Sequence, residues 1–196
     1  MSGGPIEFPV EGLSDGVILL RLKAESDIPA IVAACQDPEI PRWTQVPDGY
    51  TEANAREWFA LQDRRREDGS ELHLIIADAR DSRLLGSIGL AGIDWEDRRG
   101  SIGYWVAKEA RRQGVATRSV TLLAAWAFAE LGFGRVEIKT EPANVPSHRV
   151  AERAGFTREG LLRSHALIKD RRRDMVVFSL LPGELKGGSS GSSLKA

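Results

Sequence analysis

The sequence predicts an α/β protein of the α+β kind, with a mixed central sheet of about six to seven strands flanked by helices. Three observations predict it. Ile102, Tyr104 and Val106 alternate with Gly103, Trp105 and Ala107 as in a strand, and after Gly114 the apolar period becomes helical, with Ala116, Val120, Leu123 and Ala127 on one face. Residues 135–140 alternate again, so 102–140 read as strand, crossover helix and parallel strand, a unit that is right-handed in nearly all cases. Segments 72–77 with 84–90, and 161–168 with 174–181, read as antiparallel pairs joined by polar turns.

The elements follow in order. Residues 17–22 read as the first strand, and Ser26 or Asp27 can cap a helix through Ile31, Val32 and Cys35 that Pro38 and Pro41 end. Residues 40–50, with Pro41, Trp43, Pro47, Gly49 and Tyr50, have the composition of an irregular loop with exposed aromatics. Thr51 caps a second helix whose Trp58, Phe59 and Leu61 can face inward and which dissolves at residues 67–69. A polar turn at 94–100 leads into the strand that begins at Ile102. The long helix should start near Gly114. A shorter helix over 146–153 ends at Gly155, and Phe156 opens a strand toward Glu159 and Gly160. The final pair turns over 169–173.

With 196 residues, 42% of them hydrophobic, the chain can bury a full core as a single domain, placed at residues 14–182 between a flexible arm at 1–13 and a flexible Gly/Ser-rich tail at 183–196. A net charge of -1 gives no overall pull toward nucleic acid or anionic membrane, and the arginine runs 64–66 and 171–173 read as solvated surface. The single cysteine, Cys35, cannot form an internal disulfide or a zinc cluster and reads as packing in a reducing compartment. No apolar run approaches ~20 residues and no signal peptide opens the chain, so the cytoplasm is the expected location. Three histidines without Asp or Glu at ligand spacing make a metal site unexpected.

The turn between the strand at 102 and the long helix carries the chemistry. A helix start leaves about four N–H groups without partners and carries roughly half a positive charge, so an anion is stabilised there. Arg111 and Arg112 add cations, Gly114 lets a diphosphate approach the backbone, and Ala116 keeps the next turn clear. Neither a P-loop nor a dinucleotide fingerprint is present. On the turn alone, a pyrophosphate cradle and a plain basic turn before a core helix both stay open.

Arg111, Gly114 and Ala116 in this spacing resemble the acetyl-coenzyme A pyrophosphate motif of the GNAT superfamily of N-acetyltransferases. Asn144 and Ser147, the run from Val150 to Phe156, and Glu159 with Gly160 are similar to its RimJ/RimL-like branch. Leu20, Arg21, Leu22 and Asp27 near the start and residues 174–180 near the end extend the resemblance over nearly the whole chain. It implies a GNAT fold and an N-acetyltransferase moving acetyl from acetyl-coenzyme A to a primary amine by direct attack in a ternary complex. It implies cofactor contacts from Trp105, Val106, Ala107, Arg111, Arg112, Gln113, Gly114, Val115, Ala116, Thr117, Asn144, Ser147 and Arg153. It also implies an oxyanion donor at the end of the strand, best assigned to Val106, and allows a homodimer through the last strands.

Two departures from the family bear on catalysis. Many members protonate the leaving thiolate with a tyrosine just after the asparagine position; here Ser147 stands in its place, as a proton donor or as a plain helix cap. Where some relatives carry a carboxylate after the Glu-Gly signature, this chain has His165, which leaves His165, water, Glu137 and Glu141 open for the proton steps. Arg118, where relatives often have an acid, is a third departure with no reading. An α-amine of pKa ~7.7–8 is already partly neutral at pH 7, whereas a lysine at ~10.4 must give up about 4–5 kcal/mol, so a site without a strong base suits a protein or peptide N-terminus. A small-molecule amine, and a catalytically silent acyl-coenzyme A binding module, are the alternatives.

Overall fold

In the computed structural model, which describes residues 3–185, eight strands form one sheet: β1 (Leu13–Ser14), β2 (Ile18–Arg21), β3 (Leu72–Asp78), β4 (Leu84–Asp94), β5 (Arg99–Val106), β6 (Arg135–Thr140), β7 (Thr157–Ile168) and β8 (Arg171–Leu180). Their spatial order is β1-β2-β3-β4-β5-β6-β8-β7. The β5–β6 pair is parallel and every other neighbouring pair is antiparallel. The mixed sheet flanked by helices is the expected architecture. Its count exceeds six to seven because β1 is a two-residue strand, pairing Leu13 with Leu20, too short for any sequence period to reveal.

Among the described residues five α-helices flank the sheet: α1 (Ile28–Ala34), α2 (Glu39–Trp43), α3 (Glu52–Glu67), α4 (Val115–Glu130) and α5 (Val145–Arg153). Strand β3 explains the layering. Leu72, Leu74 and Ile76 join a large core with Val120, Leu123, Ala127 and Phe178, while Ile75 and Ala77 join a second core with Ile28, Ile31, Tyr50 and Phe59. A strand covered on both faces has no polar side to show, which is why residues 74–77 read as a continuous apolar run.

Three expectations are corrected. Within the arm at 1–13, residues 3–13 are not free: Ile6 and Phe8 are buried in the large core, and Phe8 meets Trp126 edge-on at 5.2 Å between ring centroids. Arg66 anchors this segment, its carbonyl accepting from Ile6 N at 2.9 Å and its Nη1 donating to Ile6 O at 3.2 Å. Burial of two large apolar side chains, together with the hydrogen bonds to Arg66, offsets part of the entropy lost on ordering the arm. Ile6→Val should therefore lower stability by about 0.5–1.5 kcal/mol in thermal or urea unfolding, where a free arm would give no change.

The loop with exposed aromatics at 40–50 is in part the one-turn helix α2, and Ile40 and Tyr50 are buried. Pro41 is tolerated because first-turn N–H groups have no intrahelical partner to lose. Asp27 does not cap α1 through its side chain; its carboxylate accepts from both Arg21 Nη atoms, at 2.8 and 2.7 Å, and from Ala24 N at 2.8 Å. Thr51 caps α3 as expected, accepting from Asn54 N. Of the tail at 183–196, the first residues belong to a short 3-10 turn at Pro182–Glu184, and residues from 186 on lie outside the described residues.

Candidate active site

The site begins where two parallel strands part. β5 and β6 pair only at Arg99 with Arg135, Gly100 with Val136 and Ser101 with Glu137, and then separate as β5 runs on to Val106 and β6 to Thr140. On its other edge β5 stays paired to β4, with Val106 opposite Gly86, and Ala107 N donates to Leu85 O at 2.8 Å. Direction alternates along an antiparallel ladder, so the Val106 N–H, one residue before Ala107, aims away from β4 into the opening. Tyr104 and Val106 pack on the α4 side, and Trp105 packs on the opposite core.

The turn that follows ends at Gly114, whose φ of +79° is the left-handed region that disfavours a Cβ. Nothing lies within 4 Å of where that Cβ would stand, and no side chain caps α4. The first-turn N–H groups of a 16-residue helix, from Val115, Ala116 and Thr117 onward, therefore face open space, as an anion seat requires. Arg112 is exposed beside it at φ +62°. Gln113 is tied back through its amide to Glu109 O at 2.7 Å.

The expectation of two cations free for the diphosphate is corrected for Arg111. Its Nε donates to Val106 O at 3.0 Å and its Nη2 meets Asp37 Oδ2 at 2.5 Å. Arg111 thus fastens the end of β5 to the chain just after α1, and its charge is opposed by a carboxylate. Arg118, the departure without a reading, pairs with Asp15 at 2.5 Å and fastens α4 beside the β1–β2 turn.

Asn144 is the N-cap of α5, its side chain accepting from Ser147 N at 3.3 Å. Ser147 is the third residue of the helix, so the cap reading passes from Ser147 to Asn144. Asn144→Ala should cost about 0.5–2 kcal/mol of stability, read from chemical denaturation. The Ser147 hydroxyl is instead 2.8 Å from the phenol of Tyr104, reached from β5. Burial pushes the Tyr104 phenol up to about 12, against a smaller downward pull from Ser147, so it is neutral at ordinary pH. Tyr104 as part of the site was missed from sequence, because a tyrosine alternating in a strand carries no sign of a partner 43 positions away.

His165 is not brought into this group. It is exposed on the irregular stretch of β7 between Leu162 and Ala166, and no hydrogen bond joins it to Tyr104 or Ser147. Arg153 is exposed on the last turn of α5. Glu137 is held by Arg135 at 2.8 Å and Lys139 at 2.6 Å; burial raises its carboxyl, but the two cations outweigh that and hold it below the usual carboxylate range. Glu141 pairs with Arg173 at 3.4 Å. Cys35 is buried, which pushes its thiol up to about 12 and suits packing rather than nucleophilic chemistry. Among the described residues no group of His, Cys, Asp and Glu could hold a metal ion, and no helix is long and apolar enough to cross a membrane.

A parted parallel pair with an inward N–H, beside an uncapped helix start, offers a donor to a developing oxyanion and a seat for an anion. Residues 17–157 match the family described as Acetyltransferase (GNAT) domain. The chain belongs to this family and is an acetyl-coenzyme A dependent N-acetyltransferase. The Bacillus subtilis protein named "Putative ribosomal N-acetyltransferase YdaF" is 33% identical over 150 residues, which span 74% of this chain and 80% of that one. The structure of Mycobacterium smegmatis RimJ in complex with CoA-disulfide has the same fold, with a TM-score of 0.78 at 22% identity, over 90% of this chain and 87% of that one. So does spermidine N-acetyltransferase from Vibrio cholerae in complex with CoA and spermine, with a TM-score of 0.72 at 20% identity, over 87% and 98%.

Proposed function

We propose that this enzyme acetylates the α-amine of a protein or peptide N-terminus, in the cytoplasm, by direct attack on the thioester within a ternary complex. The observation that carries this reading is the state of the nearby carboxylates. Glu137 is clamped between two cations that hold its carboxyl below the usual carboxylate range, and Glu141 is engaged by Arg173, so neither carboxylate is free to serve as a strong base. An acceptor that is already partly neutral, with a pKa of ~7.7–8, needs no such base, whereas a lysine at ~10.4 does. The likeness to a protein whose name specifies a ribosomal acceptor points the same way.

The residues divide the work as follows. The first-turn N–H groups of α4, with Arg112, hold the diphosphate. The Val106 N–H donates to the carbonyl oxygen as the amine nitrogen bonds to the carbonyl carbon and negative charge grows on that oxygen. The amine proton leaves to water, the carbon–sulfur bond breaks, and Ser147 gives its proton to the sulfur and regains one from water. Asn144 fixes Ser147 by capping the helix that carries it. The same reading includes a homodimer through the last strands, supported by the position of β7 at the sheet edge with Leu161, Leu162 and Leu167 exposed.

The test is mass spectrometry of products after incubation with acetyl-coenzyme A and a mixed library of peptides and small amines. Peptides acetylated at the N-terminal nitrogen are the expected result; acetylated small amines alone, or no turnover, would overturn the reading. In addition, kcat/KM for a peptide acceptor should rise with pH through ~7.7–8, the pKa of the acceptor's own amine. An inflection instead near 4–5 would mean a protein carboxylate serves as base.

A further inference from the structure

The contact between Tyr104 and Ser147 has no counterpart in the roles assigned so far. Two hydroxyls meet at 2.8 Å, one from β5 and one from α5, across the mouth formed where β5 and β6 part. Each has one proton, so the pair shares one hydrogen bond and has one proton left over. Either hydroxyl can donate in this contact; a phenol, even when pushed up to about 12, is more acidic than a serine alcohol, so the direction taken is Tyr104 O–H to Ser147 Oγ. The spare proton is then on Ser147, and it cannot point at Tyr104. Tyr104 also shares the strand and the face of Val106, two residues on, so the hydroxyl pair and the N–H aimed into the opening are carried on one rigid segment.

The geometry points to Tyr104 as a positioning residue for acetyl transfer: its phenol holds Ser147 Oγ as an acceptor and thereby turns the Ser147 proton toward the leaving sulfur. This rests on the reading of Ser147 as the proton donor. The Ser147 O–H bond breaks as the S–H bond forms, Ser147 is reprotonated from water carrying the proton released by the amine, and Tyr104 keeps its own proton throughout. The half-buried phenol, pushed up to about 12, is neutral at ordinary pH and so has that proton to donate.

The test is single-turnover kinetics of the full chain and its Tyr104→Phe variant, which keeps the ring and its packing and removes only the hydroxyl. Two acetyl donors are compared, acetyl-coenzyme A and its selenoester analogue, whose far more acidic selenol leaves without needing a proton. Expected is a loss of about tenfold with the thioester, the size of one hydrogen bond, with little change in KM for the donor and little loss with the selenoester. Equal losses with both donors would mean a structural role and overturn the assignment, as would a full rate with the thioester. Ser147→Ala keeps the two levels apart. A full-rate Ser147→Ala enzyme defeats the underlying reading, whereas a slow Ser147→Ala beside a normal Tyr104→Phe defeats only the role of Tyr104. The double variant should be no slower than Ser147→Ala alone, since Tyr104 acts through Ser147.

Discussion

Gly114→Glu should abolish acetyl-coenzyme A binding in calorimetry while leaving a folded protein. Two effects combine at this position. A Cβ at φ +79° costs roughly 1–2 kcal/mol, which a domain of this size can absorb, and it meets no atom within 4 Å, so the turn has room for a side chain. The carboxylate then stands at the uncapped start of α4, where the helix field favours any anion, and occupies the seat the diphosphate needs. Gly114→Ala separates the terms: it carries the same backbone cost without the charge and should keep most of the affinity. A folded Gly114→Glu protein that binds acetyl-coenzyme A as the parent does would remove the turn from the cofactor site.

The local structure proposed to seat the cofactor was legible in sequence for a physical reason. The strand, the turn and the helix start lie within one short stretch, so period, glycine and charge all report on one local structure. The sheet was legible likewise wherever a strand has one polar face or a run of apolar residues. What was not legible depends on distant partners. The burial of Ile6 and Phe8 needs Arg66 and Trp126, and the capture of Arg111 needs Asp37. A sequence shows that an arginine is present and not whether its charge is already met. The Tyr104–Ser147 contact spans two elements brought together only by the parting of β5 and β6. His165 is the converse case: its place in the chain resembles a catalytic position, and the irregular β7 leaves it exposed, with no hydrogen bond to the hydroxyl pair.

Ser147→Ala should lower the rate of acetyl transfer by about 10²–10⁴, the range typical of general acid catalysis, with cofactor affinity nearly kept. The structure sharpens this expectation, because the rival account of Ser147 predicted a loss of stability that now belongs to Asn144, which caps α5. Removing the Ser147 hydroxyl leaves the cap in place and deprives the half-buried Tyr104 phenol of its partner, a cost of about 1–3 kcal/mol if no water replaces it. The rate loss should therefore exceed anything that partial unfolding produces, and it should persist well below the melting transition. Exchange to Ser147→Cys gives the sign of the mechanism, since a thiol can still donate a proton and should restore part of the rate. A Ser147→Ala enzyme at full speed would pass the protonation of sulfur to water and leave the hydroxyl pair a feature of packing alone.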